Sequence, residues 1–377
     1  MRVGVPKEIK VHEYRVGMTS ESARELIAHG HQVVVEKGAG LGAGISDNDY
    51  VAVGAEIASS AAAVFASADM IVKVKEPQPL ECAMLREGQI LFTYLHLAPD
   101  HEQARALMQS GCVAIAYETV TDAHGRLPLL TPMSEVAGRM SIHAGAHYLE
   151  KIHGGRGVLL SGVPGVATGK VVILGGGVVG SNAATIAVGM GADVTIIDKS
   201  LSRLATLDNQ FGGRVRTIYA TAGAIEEQVL AADLVIGAVL IPGAAAPRLV
   251  TKAMVSRMKK GAVIVDVAID QGGCVETAHP TTHTDPVYTV DGVIHYCVAN
   301  MPGAVARTST FALNNATLPY ALALAEKGWK KALADDIYFR HGLNIAEGKI
   351  THPLVADALK EAYSAPEGFV SGGAKAA

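Results

Sequence analysis

Residues 170–198 read KVVILGGGVVGSNAATIAVGMGADVTIID, and this stretch decides the fold of the chain. The apolar run Val171–Leu174 predicts a buried strand, and the glycines that follow it fit the pattern G-x-G-x-x-G. Small residues then predict a closely packed helix, and a second apolar run predicts the next strand, which ends at Asp198. A strand, a glycine-rich turn, a helix and a strand in this order are typical of a doubly wound, dinucleotide-binding sheet.

The glycines of this turn have separate roles. Gly175 permits a tight turn, Gly177 lets the backbone approach a pyrophosphate, and Gly180 lets the helix pack closely on the strand. The pyrophosphate would lie at the start of the helix, beside Val178 and Val179, where free N–H groups and the helix dipole favour an anion. The alternative is a glycine-rich turn without a ligand.

Asp198 follows Gly180 by 18 residues, at the end of the next predicted strand. A carboxylate there accepts hydrogen bonds from both ribose hydroxyls and repels a 2′-phosphate, so the sequence predicts NAD rather than NADP as the cofactor. Arg203, close by in the sequence, weakens this exclusion.

Composition narrows the functional class. The chain has 377 residues, of which 49% are hydrophobic, and a formal net charge of −4. No lysine/arginine block is present, which argues against binding to nucleic acid or to a membrane surface. Glycines interrupt the longest apolar stretch, and the N-terminus lacks a signal-peptide core. Four widely spaced cysteines predict reduced thiols in a cytoplasm rather than disulfides.

The rest of the chain predicts a second α/β alternation. We expect two doubly wound domains separated by a cleft, one of them a six-stranded Rossmann NAD-binding domain. Residues 1–133 would form the first part of a substrate domain, and residues 134–304 the Rossmann domain. Residues 305–377 would return to the substrate domain as helices and end in a frayed tail.

Polar residues stand where several predicted strands end. His96 closes the apolar run from 90 to 97, Lys75 closes MIVKVK, and Arg15 lies in the loop after the first strand. In the second domain Asp270 follows the fifth strand. Ligands of open α/β sheets bind beyond the carboxyl ends of strands, so these side chains suit a small anionic substrate.

Each residue has its own chemistry and its own structural alternative. Arginine offers a fork for a carboxylate, lysine a point charge, and histidine a proton near neutral pH. The alternatives are a surface ion pair for Arg15, a solvated Lys75, a strand-end His96 and a loop-capping Asp270. His143 and His147 have an i, i+4 spacing that could hold a metal, but no third ligand is evident, so no metal site is predicted.

Several long motifs together resemble one family. They are VGVPKEIKVHEYRVGMT, FTYLHLAPD, GGRGVLLSGVPGV, VVILGGGVVG, VDVAIDQGGCVET and NMPGAVARTSTFALNNATLPY. The chain is similar along nearly its whole length to the family of NAD-dependent alanine dehydrogenases and transhydrogenase α-subunits. The resemblance implies an oxidoreductase that converts L-alanine reversibly to pyruvate and ammonium with NAD. It also implies a cytoplasmic homohexamer.

The same resemblance assigns roles to residues. Arg15 and Lys75 would bind the substrate carboxylate and carbonyl region, His96 would be the acid/base, and Asp270 the second catalytic residue. Met133 would line the substrate region and Ser134 the nicotinamide region. Further cofactor contacts are implied for Val239, Leu240, Val267, Ile269, Asp270, Val298, Asn300 and Met301.

Three departures from the family pattern and three other functions remain open. Ala220 and His279 replace residues near the adenosine, and Ala306 precedes Arg307 where relatives often have proline. The first two substitutions could weaken adenosine contacts. The other functions are a soluble transhydrogenase component, an opine- or saccharopine-type dehydrogenase, and a non-catalytic NAD-binding or crystallin-like protein.

Overall fold

The computed structural model describes residues 1–239 and 246–370. The chain divides into two compact units. Unit 1 contains Met1–Pro132 and the chain from Val305 onward, and unit 2 contains Met133–Ala304. Within the described residues, no helix is both long and apolar enough to cross a membrane.

The N-terminal part of unit 1 alternates strands and helices. Its strands are β1 Arg2–Val5, β2 Gln32–Glu36, β3 Glu56–Ala58, β4 Met70–Val72, β5 Ile90–Thr93 and β6 Val113–Ala116. Its helices are α1 Ser20–Ala28, α2 Asp47–Val51, α3 Ala61–Ser67, α4 Pro79–Cys82 and α5 His101–Ser110. All six strands are parallel, as the alternation of strands and helices predicts.

Unit 2 begins within the first turn of the long helix α6, Thr131–Tyr148. Its strands are β7 Lys170–Leu174, β8 Asp193–Asp198, β9 Val215–Tyr219, β10 Leu234–Gly237, β11 Val263–Asp266, β12 Val287–Val290 and β13 Val293–Tyr296. Its other helices are α7 Val178–Gly189, α8 Leu201–Phe211, α9 Ala222–Ala231 and α10 Lys252–Arg257.

The sheet of unit 2 has the order β12-β13-β11-β10-β7-β8-β9. Without β12, this is the strand order of a Rossmann fold, with the reversal between β7 and β10. The six predicted strands are all present and parallel, and β12 adds an antiparallel edge that the sequence reading missed. Alternate residues of β7 face opposite sides: Val171 and Ile173 pack with α7, and Val172 and Leu174 pack with α9 and α10.

The C-terminal segment returns to the sheet of unit 1. Its helices are α11 Ala306–Asp335, α12 Ile337–Arg340, α13 Pro353–Leu359 and α14 Glu367–Val370. The prediction of helices alone is wrong, because β14, Leu343–Ala346, and β15, Lys349–Ile350, form a hairpin beside β6. The completed order is β15-β14-β6-β5-β4-β1-β2-β3.

Two details correct the sequence reading of this segment. The hairpin turns at Glu347 and Gly348, which both have positive φ, the backbone that two-residue hairpin turns require. The predicted frayed tail is partly ordered, since residues 367–370 are helical and Val370 is buried. Residues 371–377 lie outside the described part of the chain.

All four cysteines are buried and unbridged. Burial raises the pKa of Cys82 to about 12, of Cys112 to about 11 and of Cys297 to about 12. The pKa of Cys274 is also raised, first by burial and then by the neighbouring carboxylate of Asp266. The thiols are therefore core residues with little thiolate character.

Candidate active-site residues

The glycine-rich turn of unit 2 has the backbone that its motif requires. Gly175 has φ +99°, and a Cβ on it would lie 2.7 Å from the carbonyl oxygen of Ala238. A Cβ on Gly180 would overlap the carbonyl oxygen of Gly175, so only glycine fits there. Gly177 is the N-cap of α7, and among the described residues no heavy atom comes within 4 Å of where its Cβ would stand. Packing inside the chain therefore explains two of these glycines, but not Gly177.

Val178 and Val179 form the first turn of α7, where no side chain caps the helix. Val178 is exposed and Val179 is half-buried. The N–H groups at the start of an α-helix have no partner within the helix and point along its axis. This turn can therefore receive a phosphate group without rearrangement of the backbone.

Asp198 ends β8 directly beside the turn. Its Oδ2 accepts a hydrogen bond from the backbone N–H of Gly176 at 2.7 Å, and its Oδ1 accepts one from Ser200 at 2.8 Å. Arg203 donates from Nε to the carbonyl oxygen of Gly176. Each carboxylate oxygen carries a second lone pair, so Asp198 can hold the turn and still accept a ribose hydroxyl.

The other predicted cofactor residues of unit 2 follow strands β10, β11 and β13, and most of them can be placed. Val239 follows β10, and Val267, Ile269 and Asp270 belong to one 3-10 turn after β11. Past the end of β13 come Val298, Asn300 and Met301. Leu240 lies outside the described residues. The remaining positions therefore share the carboxyl edge of the sheet with Gly175 and Asp198.

These cofactor residues differ in their exposure to solvent. Ile269, Val298 and Met301 are buried, whereas Asp270 is exposed. Asn300 adopts the left-handed backbone with φ +70°, and its carbonyl oxygen lies 3.0 Å from Nε2 of His283. The buried members can shape the edge of the sheet, and Asp270 is the member that presents a carboxylate to solvent.

Asp266 is a residue that the sequence reading missed. It ends β11, is fully buried, and caps the turn that carries Asp270 through the backbone N–H of Ala268. Its Oδ2 also accepts hydrogen bonds from the N–H groups of Cys274 at 2.9 Å and Val275 at 3.1 Å. Burial raises the pKa of Asp266 to about 6, although these hydrogen bonds favour the ionised form. The available signal was an aspartate closing the apolar run VIVD.

Met133 and Ser134 occupy the beginning of α6 rather than a strand end. Met133 is buried and Ser134 is half-buried. Their predicted roles toward substrate and nicotinamide stay predictions.

Arg15 of unit 1 is held by a buried ion pair. Its Nε and Nη2 donate to the two carboxylate oxygens of Glu13, each at 2.6 Å, and both side chains are buried. Burial alone would lower the pKa of Arg15, but the hydrogen bonds and charge of Glu13 outweigh burial and raise it. The surface ion pair considered from the sequence is therefore wrong. Glu13 fixes the direction of the guanidinium, because a bidentate pair allows little rotation.

A second buried charge cluster fixes the segment that contains Lys75. Lys73, which is fully buried, donates to Glu8 at 3.0 Å and to Glu81 at 2.7 Å. The other oxygen of Glu8 accepts the backbone N–H groups of Val74 and Lys75. Lys75 itself is half-buried, so the backbone beneath it is fixed while its side chain is partly accessible.

His96 lies beyond the strand to which the sequence reading assigned it. Strand β5 ends at Thr93, and Glu118 accepts the backbone N–H groups of Leu95 and His96. His96 has φ +50°, and its side chain is 45% exposed. The carboxylate of Glu118 thus takes the donors that a longer strand would have used, and the backbone turns the imidazole outward.

The imidazole of His96 lies beside a carboxylate that the sequence reading also missed. Its Nδ1 is 3.4 Å from Oε2 of Glu76, and Lys10 pairs with the other oxygen. Burial alone would raise the pKa of Glu76, but His96, the charge of Lys75 and Lys10 outweigh burial and lower it. Glu76 is therefore ionised, and its two oxygens lie beside His96 and Lys10.

Unit 1 brings its three predicted site residues to one edge. Strands β1, β4 and β5 are parallel neighbours, and Arg15, Lys75 and His96 follow their carboxyl ends in turn. Two cations and an exposed imidazole at this edge can bind an oxyacid and move a proton.

By its fold the chain is a two-unit α/β protein with one Rossmann-type sheet. Family models sharpen this assignment. The alanine dehydrogenase/PNT N-terminal domain matches residues 4–137, and the alanine dehydrogenase/PNT C-terminal domain matches residues 141–353. The chain belongs to the alanine dehydrogenase/PNT family.

Individual relatives agree with the family models. An alanine dehydrogenase of Halomonas elongata is 60% identical over 96% of this chain and 98% of its own length. A solved L-alanine dehydrogenase structure matches with a TM-score of 0.93 and 54% identity, covering 96% of this chain and 99% of that one. A transhydrogenase structure from Sinorhizobium meliloti matches with a TM-score of 0.80 and 27% identity, covering 94% and 99%. Identity is therefore about twice as high to the dehydrogenases.

Proposed function

We propose that this chain catalyses the reversible oxidative deamination of L-alanine to pyruvate and ammonium, with NAD⁺ as the hydride acceptor. Alanine dehydrogenase activity and the use of NAD follow from near full-length identity of 54–60% to enzymes of that name. The observation that carries the residue-level proposal is the exposed imidazole of His96, with Arg15 and Lys75 at the same sheet edge.

The cations of unit 1 bind the substrate. Arg15, whose guanidinium is oriented by Glu13, holds the carboxylate of alanine or pyruvate. Lys75 neutralises negative charge on the carboxylate or carbonyl oxygen. Glu13 positions the guanidinium of Arg15 before substrate binds, and Glu8 fixes the backbone of Lys75, so less ordering accompanies binding.

Unit 2 binds the cofactor. The first turn of α7 receives the pyrophosphate, and Asp198 receives the ribose hydroxyls of the adenosine. Buried Ile269, Val298 and Met301 shape the edge of the sheet where the nicotinamide end would lie. NAD⁺, when bound, accepts the hydride from Cα of alanine.

His96 and Asp270 assist the proton transfers. The reaction is L-alanine + NAD⁺ + H₂O → pyruvate + NH₄⁺ + NADH + H⁺. Loss of hydride from the neutral amine leaves an iminium ion, water adds to its carbon, and the resulting carbinolamine expels ammonia. His96 takes the proton from the attacking water and returns one to the leaving nitrogen, and Glu76 lies beside its Nδ1. Asp270 stabilises the cationic iminium or positions the water.

Two further properties are proposed on the family resemblance, namely a homohexamer and a cytoplasmic location. Light scattering after size-exclusion chromatography would measure the first, and cell fractionation the second. A monomer in solution would contradict the hexamer.

A steady-state assay tests the proposed function. NADH oxidation should require both pyruvate and ammonium, and L-alanine should reduce NAD⁺ much faster than NADP⁺. A panel of amino acids, including serine, glycine and the lysine used by saccharopine-type enzymes, tests the substrate. Turnover of pyruvate with a larger amine, but not with ammonium, would contradict the proposal and favour an opine-type enzyme.

A further inference from the structure

Unit 2 carries a cluster of three potential metal ligands that has no role in the proposed reaction. His147, Glu150 and His153 are spaced three residues apart, from the end of α6 into a following 3-10 turn, residues 151–153. The ligand atoms of the three side chains all lie within 4.8 Å of one another. The i, i+4 pair His143 and His147, which the sequence singles out, is not the grouping that the structure forms.

The spacing of three follows from the local backbone. The N–H of Glu150 donates to the carbonyl of His147 at 3.1 Å, and the N–H of His153 donates to the carbonyl of Glu150 at 3.1 Å. Two such turns, joined at Glu150, whose backbone is extended, bring the two imidazoles and the carboxylate near one another.

The segment that carries the ligands is fixed before any ion binds. Leu149 is fully buried in the core of unit 2 and accepts a hydrogen bond from Gly157 at 2.8 Å. The N–H of Gly155 donates to the carbonyl of Glu150 at 3.0 Å, and a Cβ at Gly155 would overlap the backbone of Leu149. An ion would therefore meet a shaped loop rather than a flexible one.

The potential ligand atoms lie farther apart than in an occupied site. One oxygen of Glu150 is 4.0 Å from Nδ1 of His147, and the other is 3.7 Å from Nε2 of His153. The two imidazole centroids are 3.9 Å apart. Ligand atoms about 2.0–2.1 Å from a tetrahedral zinc ion stand about 3.3–3.5 Å from each other. Binding would draw the ligand atoms together by up to about 1.5 Å and turn the two imidazoles apart. The three side chains are 33–58% exposed and can make this movement.

The donor set selects the kind of ion. Two imidazole nitrogens and one carboxylate oxygen suit Zn²⁺, whereas Ca²⁺ and Mg²⁺ prefer oxygen ligands alone. Because the cluster is exposed, water can complete the tetrahedron. We propose that His147, Glu150 and His153 bind one Zn²⁺ ion, which clips the end of α6 to the turn that follows it.

The test is Zn²⁺ binding by the full-length protein, measured by competition with a chromophoric chelator after treatment with EDTA. His147→Ala and His153→Ala should each weaken the tightest Zn²⁺ binding by at least about 100-fold, since loss of even an outer partner of a metal ligand costs 10–100-fold. Glu150→Gln keeps an oxygen ligand but removes its charge, so its loss should be smaller. Co²⁺ bound to the wild type should show the visible absorption of a tetrahedral site.

Matched measurements separate this site from other histidines and from misfolding. His124→Ala removes an exposed histidine of unit 1 and should leave the tightest Zn²⁺ binding unchanged. All four variants should bind NADH as the wild type does, because none of these residues belongs to the cofactor or substrate set. Absence of saturable Zn²⁺ binding by the wild type would overturn the proposal, as would undiminished binding by the His147 and His153 variants.

Discussion

The two sheets present their candidate site residues at the same kind of edge but fix them by different means. In unit 2 the determinant is backbone, because glycines that tolerate no side chain shape the glycine-rich turn. Asp198 holds that turn, and buried Asp266 holds the turn after β11, both through backbone N–H groups. In unit 1 the determinants are buried ion pairs, Arg15 with Glu13 and Lys73 with two glutamates. A backbone requirement leaves a local sequence motif, whereas a buried ion pair between distant residues does not.

The largest expected effect is a loss of kcat in unit 1 without a loss of stability. His96→Ala should lower kcat by about 10²–10⁴-fold, the usual range for a lost general acid/base. The exposed imidazole supports no core packing, so the free energy of unfolding should change little. Steady-state kinetics and urea unfolding measure the two quantities. NADH affinity, followed by fluorescence, should hold; a wild-type kcat would make His96 a loop residue only.

The next effect concerns the buried ion pairs of Lys73, which lie beneath the backbone of Lys75. Lys73→Met should lower the free energy of unfolding by about 3–5 kcal/mol, because Glu8 and Glu81 would stay buried without their cation. Lys331→Met is the matched control, since its pair with Asp335 is exposed and contributes little to stability. Urea unfolding at one protein concentration compares them. Equal small losses would show that unit 1 does not depend on its buried pairs.

A pair of glycine variants tests the corresponding statement about unit 2. Gly180→Ala should destabilise the protein by about 1–3 kcal/mol or more, since the methyl group overlaps the carbonyl of Gly175. Gly177→Ala should leave stability nearly unchanged but weaken NADH binding, because its Cβ would stand where the pyrophosphate approaches. Thermal unfolding and NADH titration distinguish the two. If Gly177→Ala bound NADH normally, the pyrophosphate would not lie at this turn.

The last prediction concerns cofactor selection, where the change in preference between NAD⁺ and NADP⁺ is smaller than the loss in use of NAD⁺ itself. Asp198→Ala should weaken use of NAD⁺ by about 10- to 150-fold, corresponding to about 1.5–3 kcal/mol for hydrogen bonds to a charged group. NADP⁺ should lose less, since the repulsion of its 2′-phosphate disappears as well. The ratio of kcat/KM for NAD⁺ and NADP⁺ measures this preference. An unchanged ratio would remove Asp198 as the ribose ligand.

The sequence predicted features that depend on local backbone requirements and missed those that depend on contacts between distant residues. The pattern from β7 to Asp198 predicted the Rossmann sheet, because strand, turn and helix each have a local periodicity. The hairpin of β14 and β15 was missed because its strands are four and two residues long. Glu76 and Glu118 contact His96 from positions about 20 residues away along the chain, and no spacing rule connects them with it. The length of β5 was overestimated for that reason.

The buried thiols can report when each unit unfolds. Cys82 and Cys112 belong to unit 1, and Cys274 and Cys297 belong to unit 2. An alkylating reagent reacts with a cysteine that is both exposed and ionised, and in the folded chain the cysteines are buried thiols. Alkylation must therefore wait for a sheet to open, and peptide mapping of the modified cysteines would show which of the two sheets opens first during thermal or chemical ageing.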